Sequence, residues 1–93
     1  MKVYLLVENG CWDFENTNTE LLFKDYEKAK TEYLQKVKNA KEDMFENWME
    51  EELCEINEKI DDEKKYCCFD IYENGDYSRL HDTILLEEIE VIE

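Results

Sequence analysis

Proline is absent from this chain, and glycine occurs only at Gly10 and Gly75, each time directly after asparagine. A chain of 93 residues with so few turn formers has few tight turns and long elements between them. Asn-Gly is the strongest two-residue hairpin signal, because both central residues of a type I′ turn take positive φ. Both pairs also follow a glutamate, as Glu8-Asn9-Gly10 and Glu73-Asn74-Gly75. The chain therefore reads as two similar hairpins flanking a middle third of different character.

Around the first turn, residues 2–8 alternate in side-chain character and predict a strand, with residues 11–15 returning antiparallel. In that register Val7 faces Trp12 and Leu5 faces Phe14, so Val3, Leu5, Val7, Trp12 and Phe14 form the face that meets the core. Around the second turn, residues 66–73 and 76–81 pair Tyr72 with Tyr77, Asp70 with Arg79, Phe69 with Leu80 and Cys68 with His81. An aromatic pair, an ion pair and an apolar pair all agree with this hairpin. Residues 84–92 predict a last strand, with Leu85, Ile89 and Val91 in alternation.

Between the hairpins, a polar loop over 16–19 and the apolar Leu21, Leu22 and Phe23 lead into a helix starting near Lys24. Tyr26, Ala29, Tyr33, Val37, Ala40 and Met44 recur at three- and four-residue steps, the mark of one buried stripe. A second set, Phe45, Met49, Leu53, Ile56 and Ile60, keeps helical spacing but sits about one position off that stripe. Asp43 with Glu46 three residues on is a candidate capping pair. The segment is one bent helix or two helices broken near Asp43. A straight helix over residues 24–61 would be roughly 55 Å long, too long for a domain of this size, which favours a break or a projecting second helix. The expected fold is α+β: one domain over residues 1–93, ordered β-β-α-(α)-β-β-β, its antiparallel sheet crossed on one face by one or two helices.

Charge is the other dominant feature. There are 26 acidic residues against 11 lysines and arginines, a net charge of −15. A hydrophobic share of 43% and an aromatic share of 13% argue for a packed interior in spite of that charge. The balance repels nucleic acid and anionic membrane surfaces and attracts basic ones. The chain has no apolar run near the roughly 20 residues of a membrane helix, and its first residues do not read as a signal peptide. Cys11, Cys54, Cys67 and Cys68 are then expected as free thiols in a reducing cytoplasm.

The charge is also segregated. Residues 24–41 carry six lysines against Asp25, Glu27 and Glu32. Residues 42–63 carry Glu42, Asp43, Glu46, Glu50, Glu51, Glu52, Glu55, Glu58, Asp61, Asp62 and Glu63 against Lys59 alone, a net of −10. Spread along a helix, those residues would span about 33 Å. That is one charge per about 3.3 Å, near the roughly 3.4 Å spacing of phosphates along one DNA strand. With Trp48 and Phe45 as aromatic anchors, the expected partner-binding set is Glu42, Asp43, Glu46, Trp48, Glu50, Glu51, Glu52, Glu55, Glu58, Asp61 and Asp62. The plainer alternative is a solvated face that keeps the protein soluble, with Trp48 and Phe45 in the core.

Catalytic and cofactor patterns are largely missing. There is no Walker loop, no Rossmann glycine fingerprint and no HExxH. Cys11, Cys54, Cys67 and His81 lack the paired short spacing of a zinc site. Asp70, Tyr72, Asn74 and Gly75 echo an EF-hand start, but tyrosine stands at the third position and His81 at the twelfth. Cys68 opposite His81 is the single nucleophile–base arrangement, without an oxyanion hole. The reading is of a non-enzyme with no metal and no cofactor.

The opening Lys2-Val3-Tyr4-Leu5, the helix start Tyr26-Glu27-Lys28-Ala29-Lys30 and the run Ile71-Tyr72-Glu73-Asn74-Gly75-Asp76-Tyr77-Ser78-Arg79 resemble short acidic proteins encoded by phages and mobile elements of low-GC bacteria. Similar small acidic phage proteins include DNA mimics and anti-CRISPR or anti-restriction inhibitors. The resemblance implies a cytoplasmic inhibitor in a bacterial host cell that occupies the basic nucleic-acid channel of a defence nuclease, with carboxylates in place of phosphates. The alternative is a non-mimic interaction module or homodimeric adaptor. It would use Trp48, Met49, Leu53 and Ile56, or the last strand as a sheet edge.

Overall fold

In the computed structural model, residues 1–13, 15–48 and 50–92 are described, with side chains for all of these except 48 and 76–78. The order is β1 (Lys2–Trp12), β2 (Glu15–Phe23), α1 (Tyr26–Asp43), β3 (Cys54–Asp61), β4 (Tyr66–Glu73) and β5 (Asp76–Glu90). One π-helical turn, Met44–Trp48, and one 3-10 turn, Glu51–Leu53, link α1 to β3. The five strands form one antiparallel sheet in the order β2-β1-β5-β4-β3. The architecture is thus the α+β arrangement read from the sequence, with one helix across one face.

The helix forms where its stripe predicts. Asp25, with extended backbone, caps it, its carboxylate accepting from the Glu27 N–H at 3.0 Å. Tyr26, Ala29, Tyr33, Val37, Ala40 and Met44 are all buried. They pack on Leu6, Cys67, Phe69, Ile71, Leu80, Ile84 and Leu86 from the sheet, giving one core between two layers. The π turn inserts an extra residue at the C-terminal end of α1. This insertion accounts for the one-position offset of Phe45, which lies half-buried against the core beside the fully buried Met44.

Several sequence expectations change. Residues 54–61 are strand rather than a second helix, since Ile56 and Ile60 stand four apart, a spacing that fits an alternating strand as well as a helix. β1 runs straight through Asn9-Gly10, and the chain turns beyond Trp12, with Asp13 at φ 54°. A Cβ on Gly10 would lie 2.9 Å from Trp12 Nε1 and 3.0 Å from Thr17 Oγ1, so this glycine serves close approach within the sheet rather than a turn. Because β1 is unbroken, Trp12 shares a face with Leu6 and Tyr4, and these meet the core. Val3, Leu5 and Val7 point to the other face by strand alternation. Phe14, expected on the core face, lies outside the described residues.

The second Asn-Gly pair is a turn, with Gly75 at φ 88° and Glu73 opposite Asp76. Beyond it an irregularity between Tyr72 and Glu73 slides the register by four residues. Tyr72 therefore pairs with His81, Asp70 with Thr83 and Phe69 with Ile84. An even slide keeps every side chain on its predicted face while changing its partner. The two strands predicted over 76–81 and 84–92 are one 15-residue strand, β5, at the centre of the sheet. It has no free edge, so the edge role expected for the last strand is excluded; β2 and β3 are the edges.

Candidate functional site

The acidic middle third does not form one surface. It divides between the two ends of a molecule whose principal extents are 44 × 23 × 19 Å. At one end α1 terminates, the linking turns follow, and β3 begins with Cys54 opposite Glu73. The Asn74 N–H donates to the Leu53 carbonyl at 2.8 Å and the Asp13 N–H to the Arg79 carbonyl at 3.0 Å, so both hairpin turns gather there. Glu42, Asp43, Glu46, Glu50, Glu51 and Glu52 are all exposed at this pole. Asn39, Glu42, Asp43, Glu46 and Asn47 line an open depression of ≈ 320 Å³.

These carboxylates are sparsely answered. Glu42 lies 4.0 Å from Lys38, and Asp43 accepts from the Asn47 side chain at 2.6 Å. Glu46, Glu50, Glu51 and Glu52 have no ion pair among the described residues. Glu42, Asp43 and Glu46 also stand at the C-terminal end of α1, where the helix dipole is negative. Their position opposes helix stability instead of supporting it.

The rest of the predicted set is placed differently. Glu55 accepts from the Tyr72 hydroxyl at 2.8 Å on the sheet face away from α1. Glu58 is on the helix face, 3.5 Å from Lys41. At the opposite end Asp61 accepts from the Lys64 N–H in the β3–β4 turn. Asp62 accepts from the Tyr26 hydroxyl at 2.6 Å and from Lys30 at 2.9 Å, which together hold its carboxyl below the usual range. Burial, and then the same contact, push the Tyr26 phenol upward. Residues 55–62 are thus spread over two faces, and Glu58 and Asp62 are answered by the protein's own lysines. The even, phosphate-like spacing expected of a helix over 42–63 is absent. The side chain of Trp48 lies outside the description.

The candidate chemical groups separate as well. Cys68 pairs with Leu85 and Lys59, not with His81. Four residues of β5 between Leu85 and His81 put the imidazole about 13 Å along the strand from the thiol. Cys11 is opposite His81 but buried. Cys11 and His81 lie on one sheet face and Cys54 and Cys67 on the other, so these four do not converge. Among the described residues no group of three or more His, Cys, Asp or Glu is arranged to hold a metal ion. Burial pushes the Cys67 thiol up, and burial and Glu73 do the same for Cys54, which disfavours thiolate at neutral pH.

One charged cluster was missed in the sequence. Asp82 is 2% exposed beneath α1, and its Oδ1 has no hydrogen-bond partner among the described residues. Burial first, then hydrogen bonding to Glu8, push its carboxyl up to about 9. Lys36 from α1 reaches Glu8 at 3.2 Å. The available signal was an acid at a core-phase position, within Leu80, Asp82, Ile84 and Leu86.

Comparison with protein-family models, curated proteins and solved structures finds no match to this chain. Among the described residues no helix is long and apolar enough to cross a membrane.

Proposed function

We infer that the protein is a non-catalytic binder of a basic macromolecular surface, and that the acidic pole formed by Glu42, Asp43, Glu46, Glu50, Glu51 and Glu52 makes the contact. One observation carries this reading. Glu42, Asp43 and Glu46 stand at the negative end of a helix dipole, where they oppose the fold, and Glu50, Glu51 and Glu52 beside them have no ion pair among the described residues. A solubilising charge works equally well anywhere on the surface, so a placement that opposes the helix favours a binding role. The partner class that fits is a protein whose cationic channel holds nucleic acid, as in the phage-type inhibitors the sequence resembles, and inhibition is by occupancy without turnover. The pole acts as a concentrated charge, not as a phosphate-spaced rod.

The test is capture from a bacterial lysate on the immobilised protein at low salt, followed by elution with duplex DNA. The expected result is a set of nucleic-acid-binding proteins released by DNA and by salt. They should be lost when Glu46, Glu50, Glu51 and Glu52 are replaced by lysine. Capture of the same proteins by that variant, or release by neither DNA nor salt, overturns the reading.

A further inference from the structure

The two sheet edges differ. α1 packs over β1, β2, β4 and β5, and reaches β3 and the turn after it mainly through the Lys41–Glu58 and Lys30–Asp62 ion pairs. β3 is therefore a shelf beside the helix. Its backbone is paired on one side by β4 over its whole length without a bulge, and among the described residues its other side faces no strand. Ile56 and Ile60 on the helix face of β3 are 37% and 42% exposed, Leu53 just before it 55%, and Leu34 on the adjacent flank of α1 44%. Sheet edges are ordinarily blunted by proline, bulges or charged side chains. β3 has no proline, and its charges, Glu55, Glu58 and Asp61 against Lys59, make it an acidic edge that disfavours an acidic or neutral strand but not a basic one. The other edge, β2, also exposes apolar side chains, Leu21 at 41% and Leu22 at 67%, but carries no charge between Glu15 and Glu20, so it has less to attract a basic strand.

We propose that β3 is a docking edge that accepts an extended, basic segment of a partner protein as a sixth strand. The main chain of the incoming strand pairs with the free side of β3. Its apolar residues, at alternate positions, cover Ile56, Ile60 and Leu34 in the shelf beside the helix. Its lysines and arginines meet the acids at the two ends of the strand, Glu50, Glu51 and Glu52 before it and Asp61 and Glu63 at its far end. Charge also decides against a second copy of this chain. Two β3 strands side by side would bring eight acids of residues 50–63 against the same eight, with Lys59 as the sole counter-charge in each. The proposal rests on the basic-partner reading for the charge of the incoming strand, while its backbone pairing is independent of the pole.

The test uses a short synthetic peptide of alternating isoleucine and lysine and the same peptide N-methylated at alternate residues, which keeps its charge but cannot complete a ladder. The expected result is saturable binding of the first, slowed amide exchange confined to residues 54–61, and binding of the methylated form at least about tenfold weaker. Ile56→Ser with Ile60→Ser should weaken the first peptide by a similar factor. Glu42→Lys with Glu46→Lys should leave the discrimination between the two peptides unchanged, so failure of the edge and failure of the pole give different results. Equal binding of both peptides, protection at β2 instead, or self-association through β3 in the absence of peptide overturns the proposal.

Discussion

The carboxyl of Asp82 lies against that of Glu8 on the neighbouring strand, and Lys36 answers Glu8 from the helix above. Two acids this close under a helix do not both ionise readily. Burial and the Glu8 bond raise Asp82 to about 9, so at neutral pH it is protonated and donates to Glu8. A carboxyl raised above its unfolded value of about 3.9 stabilises the fold fully below that value and loses the contribution as pH climbs towards the folded value. The protein should therefore gain stability on acidification from pH 8 to pH 5, by an amount on the order of a few kcal/mol. Asp82→Asn should flatten the dependence of the urea midpoint on pH in that window. An unchanged slope in the variant would show that Asp82 titrates normally.

Gly10→Ala should destabilise the protein by about 1–3 kcal/mol, because the added methyl overpacks against Trp12 and Thr17. Trp12 emission in the folded state should shift with it as the ring is displaced. Wild-type stability and an unmoved spectrum would mean the approach at Gly10 is loose.

Tyr33 is fully buried, and its hydroxyl has no hydrogen-bond partner among the described residues. Burial pushes its phenol upward. Removing an unsatisfied buried hydroxyl relieves a penalty of about 1–3 kcal/mol, less the packing lost with the oxygen. Tyr33→Phe should be neutral or more stable by about 1 kcal/mol in chemical denaturation. A clear loss of stability would reveal a bond the hydroxyl makes.

Glu46→Lys places a cation at the negative end of α1 and should stabilise the fold by about 0.3–1 kcal/mol. The same change should reduce capture of basic proteins. A variant that is less stable, measured by melting temperature at low salt, would remove the argument that the pole opposes folding.

What the amino-acid pattern made legible follows from which physical signals are unique. The stripe from Tyr26 to Met44 has no strand counterpart, and all six residues are buried as read. Ile56 and Ile60 satisfy both periods, so local spacing gave no choice between helix and strand; pairing of residues 54–61 along β4 decided it. Asn9-Gly10 carried a turn's composition, yet Gly10 answers to the Trp12 ring and the Thr17 hydroxyl, distant constraints that a dipeptide does not reveal. The acidic site was legible as composition but not as shape. Once Cys54 to Asp61 became strand, Glu55 and Glu58 fell on opposite faces, and Asp62 went to Tyr26 and Lys30.

The central position of β5 governs how this chain comes off the ribosome. The β1–β2 and β3–β4 hairpins are not neighbours in the sheet; each needs β5 to be joined to the other. While residues 76–90 remain in the exit tunnel, two separate hairpins and an amphipathic helix wait with their apolar faces uncovered. Closure is then a single late insertion along both sides of one strand, so a premature stop before Asp76 removes the assembled sheet, not merely its rim.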